Sequence, residues 1–270
     1  MARGFSRRRF VKGTAAATLG VAAGFSVPTI VKAAAADKWG DLTARFVYEG
    51  KAPPRKNLTV DKDVECCGKF DIREESLMVG EDRGLGNVYV YVRSRGVAIC
   101  PELEERVEKR VLLDNRDCIF MPHCMKIWCT KQEYHIVNSD PVSQNVTFTL
   151  LKGRTSASIV LPPAPQEGWE ATWKFPCEET FPVQIKCSYH PWEEAYVLPR
   201  ENPYGDISKM DGTLRISKLP VGQWEFQVWH EKVGYLDTPA WKKGRFKMTI
   251  MPGVNDLGTI KLAPATLVKQ

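Results

Sequence analysis

One short loop concentrates metal-binding and aromatic side chains between two apolar runs: residues 186–196 have the sequence KCSYHPWEEAY. Cys187 is followed three residues later by His190, a spacing that lets a thiolate and an imidazole reach one ion from a single turn. A sulfur and an imidazole nitrogen together suit copper or zinc. The pair alone is a weak signal, so the segments around it must decide what the loop does.

The chain beyond residue 40 has the pattern of an all-β protein. Residues 42–48 and 87–93 have the β-branched and aromatic content of strands. Short apolar segments separated by turn residues continue to residue 262, a spacing typical of a sandwich or barrel. The predicted helix, Pro101–Arg110, is short and polar, so we expect it to be a surface connection.

The first 36 residues carry the whole charge excess of the chain. The formal net charge is +6, and this segment holds six Lys or Arg and no Asp or Glu. The remaining body is balanced, so its charge gives no argument for nucleic acid or an anionic membrane as a partner. Ser6–Lys12, with the sequence SRRRFVK, looks like a twin-arginine export signal, and an apolar run and Ala33–Ala36 follow it. We therefore expect a signal peptide over residues 1–36 and a location in the periplasm or cell envelope, with membrane contact only through an uncleaved signal.

Export would bring eight cysteines into an oxidising compartment, so we expect most of them to form disulfides. Cys66 and Cys67 are adjacent and should bond to other partners more easily than to each other. His123 and Cys124 also adjoin, with Cys129 five residues on. These three residues could form a second metal site, but disulfides and a strand histidine are the favoured interpretation.

Three segments together resemble the cupredoxin pattern over about residues 111–198. Phe120-Met121-Pro122 matches a Phe-x-Pro strand, Asn138-Ser139-Asp140 runs towards Asn145, and the loop with Cys187 and His190 comes late. The resemblance implies a Greek-key sandwich over residues 105–199. It also implies copper held by two imidazoles and a thiolate, with a weak axial thioether.

A tighter resemblance is to exported cupredoxin-domain proteins of the methylamine-utilisation-like type. In these proteins the late loop resembles Cys-x-x-His-Pro-Trp-Met, and an Asp-Gly-Thr/Ser-Phe segment and a Trp-His-Glu follow it. Asp211–Leu214 and Trp229–Glu231 occupy the two later places here.

The chain departs from the family pattern at two ligand positions. Gln144 stands where the family has a histidine, and Glu193 stands where it has the loop methionine. A Gln can be an axial copper ligand, a carboxylate suits harder ions, and His123 could replace the lost imidazole. The expected metal ligands are therefore Cys187 and His190, with Gln144, Glu193 and His123 as lesser candidates. Three alternatives stay open: copper in an altered geometry, another divalent ion such as zinc, or no metal with Cys187 in a disulfide.

The flanking segments resemble a different module, the transthyretin-like sandwich of the carboxypeptidase regulatory type. The matching segments are Gly40–Pro54, Asn87–Arg93, Asp211–Trp229 and Arg245–Leu262, and Leu219–Trp224 fits the hairpin of that module. The resemblance implies a discontinuous sandwich from residues 37–98 plus 200–265, with the cupredoxin-like domain inserted in it or packed against it. Pairing of residues 41–93 with the cupredoxin strands, and not with 213–262, would contradict this arrangement.

The sequence has no Gly-x-Ser-x-Gly elbow and no His-Glu-x-x-His motif, so we expect no enzyme activity.

The first functional hypothesis is an exported cupredoxin-like protein that binds copper or passes electrons to a redox partner protein or envelope complex. The second is a metal-free envelope β-sandwich module that binds a partner protein or a polysaccharide.

Overall fold

The structure is a computed structural model, and it describes residues 38–268. The expected signal peptide, residues 1–36, lies outside the described residues. The first elements are β1 Trp39–Tyr48, α1 Val64–Cys67, β2 Tyr89–Val92 and α2 Pro101–Glu105. The central strands are β3 Arg110–Arg116, β4 Ile119–Met121, β5 Cys124–Trp128, β6 Glu133–Asn138, β7 Gln144–Leu150, β8 Thr155–Leu161, β9 Glu170–Trp173, β10 Val183–Lys186 and β11 Glu194–Arg200. The last elements are β12 Gly205–Ile207, β13 Thr213–Pro220, β14 Gly222–His230, β15 Gly234–Tyr235, β16 Arg245–Ile250, β17 Gly253–Leu262 and a 3-10 helix, Pro264–Leu267. The protein is an all-β sandwich protein, as the sequence predicts.

Strands from the two ends of the described chain pair with each other. β1 lies between β13, to which it is antiparallel, and β17, to which it is parallel. A second sheet has the order β12-β2-β14-β15, and β16 also pairs with β14. Both sheets contribute to one apolar core, which contains Phe46, Val90 and Phe226. β1 and β2 thus find their partners among β12–β17, whereas the predicted domain bounds and the transthyretin-like identity stay predictions.

The central strands form two further sheets around a second core. Their orders are β5-β11-β10-β7-β8 and β4-β3-β6-β9, and Leu113 and Ile136 meet Val146 in the shared core. β10 shows the alternation behind this packing, because Val183 and Ile185 are buried while the residues that follow each of them are exposed. The 187–193 loop follows β10 and therefore lies at one end of this sandwich.

An aromatic seam joins the two sandwiches. Tyr89 and Tyr91 of β2 pack with Tyr196 of β11 and Trp229 of β14. The Tyr89 hydroxyl accepts a hydrogen bond from the backbone N–H of Met125 at 3.0 Å and donates one to the carbonyl of Tyr196 at 2.8 Å. These contacts place the beginning of β5 beside the end of β14.

The predicted helix Pro101–Arg110 is shorter in the structure. It ends at Glu105, and Arg110 belongs to β3 instead, where it lies opposite Glu133 of β6. None of the helical residues is buried, in agreement with a surface connection. Within residues 38–268, every helix is too short or too polar to cross a bilayer.

One disulfide joins Cys67 of α1 to Cys118, across 51 residues of sequence. The unbridged cysteines of the described chain are Cys66, Cys100, Cys124, Cys129, Cys177 and Cys187. The expectation that most cysteines form disulfides is therefore wrong for residues 38–268, and so is the alternative that places Cys187 in a bridge. A disulfide needs two side chains that point at each other with Cα atoms less than about 7 Å apart. The Cys187 thiol points instead at His190 and Gln144.

His230, at the end of β14, makes the folded protein less stable at low pH. It is fully buried, and desolvation lowers its pKa to about 4 from an unfolded value near 6.5. The unfolded chain therefore binds more protons between these two values. The contribution of neutral His230 to the free energy of unfolding is fully present above pH 6.5. It is lost as the pH falls towards 4, by about 3 kcal/mol across this range.

We expect His230→Asn to reduce this acid-induced loss, because the side chain that takes up the proton on unfolding is removed. Asparagine suits the position since it keeps an acceptor near the His230 Nδ1 atom, which takes a 3.2 Å hydrogen bond from the backbone N–H of Lys232. The check is urea unfolding of metal-free parent and variant at pH 7 and pH 4.5. An equal loss of unfolding free energy in both proteins would contradict the assignment.

Candidate metal centre

The loop between β10 and β11 folds back on itself and turns three side chains inward. The backbone N–H of Cys187 donates to the carbonyl of Glu193 at 3.3 Å, and that of Glu193 donates to the carbonyl of His190 at 3.0 Å. The His190 N–H donates to the Cys187 Sγ at 3.4 Å. One potential ligand atom from each of the three residues lies within 4.8 Å of the others. The structure thus brings together three of the residues predicted as metal ligands.

Gln144, the first residue of β7, adds a fourth donor to this group. Its Oε1 lies 3.5 Å from the Cys187 Sγ and 2.8 Å from the His190 Nδ1. Its Nε2 donates to the Asp140 Oδ2 at 3.1 Å. Because that bond engages the amide nitrogen, Asp140 fixes the amide with its oxygen towards the thiol and the imidazole.

The charge of Glu193 is poorly compensated. The residue is 1% exposed, and within the described chain neither carboxylate oxygen has a hydrogen-bond partner. The nearest cationic atom is the His190 Nδ1, 3.3 Å from the Glu193 Oε1. Burial raises the pKa of Glu193 in spite of that neighbour. A buried carboxylate without hydrogen bonds is unfavourable, and a bound cation would compensate it.

The surroundings of His190 favour its charged form, whereas burial disfavours the charged form of Glu193. Burial works to lower the pKa of His190, but the contacts with Cys187, Glu193 and Asp63 outweigh burial and raise the pKa to about 10. The imidazole therefore holds a proton at neutral pH when no metal is present. Since a metal binds the neutral imidazole, a bound ion would take the place of that proton.

A segment that the sequence analysis did not connect with the site covers the far edge of His190. The Asp63 Oδ2 lies 2.8 Å from the His190 Nε2. Asp63 precedes α1 in a left-handed conformation, with φ of 45°, and the disulfide of Cys67 with Cys118 holds α1 in place. The Trp192 ring packs on His190, with centroids 5.1 Å apart, and its Nε1 donates to the carbonyl of Cys118 at 2.9 Å.

Sequence patterns gave no link between Asp63 and the site. The contact of Asp63 with His190 joins residues 127 positions apart, and no motif spacing signals such a pair. The adjacent cysteines Cys66 and Cys67 were the available clue, since a disulfide from either one would fix this segment against another part of the chain.

His123 does not join the Cys187 group. The structure places it in a different cluster with Cys124 and Glu231, and its Nε2 lies 2.8 Å from the Glu231 Oε1. The imidazole that the family pattern implies is therefore not replaced by His123 at this site. Its place beside Cys187 and His190 is taken by the Gln144 amide.

Comparisons with known proteins give similar solved structures but no sequence relative. No protein-family model matches the chain, and no curated protein matches it. A reduced Cu(I) form of a proline-to-glycine variant of amicyanin is 13% identical, covers 41% of this chain and 98% of its own, and has a TM-score of 0.28. Amicyanin from Paracoccus versutus is 15% identical, covers 41% of this chain and 97% of its own, and has a TM-score of 0.27.

Proposed function

We propose that this chain is an exported cupredoxin-like protein that binds one copper ion through Cys187, His190, Glu193 and Gln144. The observation that carries the proposal is the Glu193 carboxylate, which is buried without a hydrogen bond to either oxygen beside a thiol and an imidazole. A cation in the middle of these atoms would compensate the carboxylate and use every other donor of the group.

The donor set fits copper. A thiolate and an imidazole are copper ligands, and a side-chain amide oxygen occurs as a weak additional ligand at such sites. Asp140 orients Gln144, and Asp63 accepts from the other ring nitrogen of His190, an arrangement that fixes a histidine ligand. Copper with a thiolate ligand supplies one-electron redox chemistry when it is bound.

The proposed role is electron transfer without catalysis of a further reaction. A redox partner protein or envelope complex would supply and accept the electrons, after export by the twin-arginine route. The central β-sandwich supports this role because it holds the donor atoms at the start of β7 and on the short loop that joins the neighbouring strands β10 and β11. A scaffold of this kind keeps ligand positions similar in both redox states.

The test is a Cu(II) titration of the reduced, metal-free chain, followed by visible absorption and electron paramagnetic resonance. We expect a thiolate-to-copper band that Cys187→Ser abolishes. Both proteins carry Cys124→Ser as a background, because the Cys124 thiol lies in a second donor cluster with His123 and could give a band of its own. Cys129→Ser is the matched control, since Cys129 is an unbridged cysteine outside the donor clusters of residues 38–268, and this variant should keep the band.

Absence of the band from the parent, or its survival in Cys187→Ser, would contradict copper binding at this site. Tight zinc binding that depends on Cys187, with no copper band, would reassign the centre to zinc. Failure to bind either ion would favour the metal-free module that binds a protein or polysaccharide.

A further inference from the structure

A second cluster of donor atoms lies beside the aromatic seam. A ring nitrogen of His123, the Sγ of Cys124 and a carboxylate oxygen of Glu231 all lie within 4.8 Å of one another. Cys124 begins β5 of the central sandwich, whereas Glu231 follows β14 of the flanking sandwich. The cluster therefore joins residues from both sandwiches.

The imidazole of His123 lies between two carboxylates. Its Nε2 is 2.8 Å from the Glu231 Oε1, and its Nδ1 is 3.4 Å from the Glu75 Oε2. The side chains of His123 and Glu231 are 11% and 3% exposed. Glu75 comes from the long connection between β1 and β2, so three distant segments meet at this imidazole.

The cluster has more negative than positive charge. Burial raises the pKa of Glu231 although His123 lies beside it. Burial works to lower the pKa of His123, but its contacts with Glu231 and Glu75 outweigh burial and raise the pKa to about 10. One imidazolium thus faces two carboxylates, and Glu194 lines the same cavity.

A cavity gives solvent access to His123, Glu75 and Glu231. Its volume is about 180 Å³, and its lining includes Glu75, His123, Trp192, Glu194 and Glu231. An ion could enter through this acidic cavity, and water could reach it there.

We propose that His123, Cys124 and Glu231 bind a zinc ion, with Glu75 orienting the imidazole. Sulfur, nitrogen and carboxylate oxygen are the ligand types of protein zinc sites, and three protein ligands leave one tetrahedral position for water. The Nε2 of His123 faces Glu231 and is the ligand nitrogen, while Nδ1–H faces Glu75 as a second carboxylate. Zinc displaces the imidazolium proton of His123 and the thiol proton of Cys124, so the net charge of the cluster does not change.

The zinc site is independent of the copper proposal, since it shares no ligand with it. Its ligands come from both sandwiches, so the ion ties β5 to the end of β14 across the seam. Bound zinc should therefore raise the melting temperature of the whole chain, because a ligand that binds only the folded state stabilises it.

The test uses the full chain with Cys187→Ser, which disables the other centre, and zinc or cobalt alone as the probe. We expect one tightly bound zinc per chain and, with Co(II), a near-ultraviolet thiolate-to-cobalt band. Glu231→Gln should weaken zinc binding at least about 100-fold, since loss of an outer partner alone weakens metal binding about 10- to 100-fold. Cys124→Ser should remove the cobalt band.

The matched control is Glu170→Gln. Glu170 also pairs with a histidine, with 3.4 Å between its Oε2 and the His135 Nε2, but no cysteine completes that pair as a donor cluster in residues 38–268. Zinc affinity should not change in this variant. If Glu231→Gln fails to fold, Glu75→Gln serves instead, with an expected loss of about 10- to 100-fold. No zinc binding by the Cys187→Ser chain, or equal affinity in the test and control variants, would overturn the proposal.

Discussion

Glu193→Gln is expected to weaken copper binding at least about 100-fold, because it removes an anionic ligand, and loss of an outer partner alone weakens metal binding about 10- to 100-fold. The substitution keeps the shape of the side chain and removes the charge that no hydrogen bond compensates. When copper is in excess, a 100-fold loss of affinity removes about 2.7 kcal/mol of copper-linked stabilisation. The predicted result is a copper-dependent increase in unfolding free energy that is smaller by that amount.

The measurement is urea unfolding with and without copper, together with competition against a copper chelator. Glu194→Gln is the control, because Glu194 is the next residue along the chain but is not a proposed copper ligand. Its carboxylate accepts a hydrogen bond from the Tyr196 hydroxyl at 2.5 Å. Copper affinity should be retained in this control. Equal effects of the two substitutions would show that general charge, not coordination by Glu193, attracts the metal.

Removal of the disulfide by Cys67→Ala together with Cys118→Ala is expected to lower the unfolding free energy by about 4 kcal/mol. This value follows from the chain entropy that a bridge across 51 residues removes from the unfolded state. A second effect should accompany it, because the bridge holds α1, and with it Asp63, against His190. The cover over the imidazole should loosen, and the pKa of His190 should fall.

Urea unfolding without reductant measures the first effect, and NMR titration of the His190 ring measures the second. Cys66→Ala is the control for loss of a cysteine from the same helix, since Cys66 is unbridged. It should leave both quantities nearly unchanged. A double variant as stable as the Cys66→Ala protein would contradict the prediction.

The grouping of the candidate metal-centre residues was predictable where the resemblance supplied a position for each of them. Cys187, His190 and Glu193 are close in sequence, and one turn brings them together. Gln144 was foreseen because the resemblance implies a ligand at its position on a neighbouring strand. No comparable guide existed for Asp63, which reaches His190 across 127 residues of sequence.

In the fold too, local features were predictable from the sequence, whereas contacts between distant segments were not. Strong β patterns predicted β1 and β2, since their strand content is local information. Periodicity did not indicate α1, which has four residues and whose position depends on the bridge from Cys67. His123 shows the limit most clearly, because its partners Glu75 and Glu231 come from separate segments on either side of it.

The strand order has a consequence for the sequence of events during synthesis. β1 pairs with β17 from Gly40 opposite Gly253 to Tyr48 opposite Leu262, so its sheet cannot close until nearly the whole described chain has left the ribosome. The strands of the central sandwich, β3–β11, are all made earlier. The loop of residues 187–193 can therefore fold while β1 and β2 still lack their partners, and the pairing of β1 with β17 forms last.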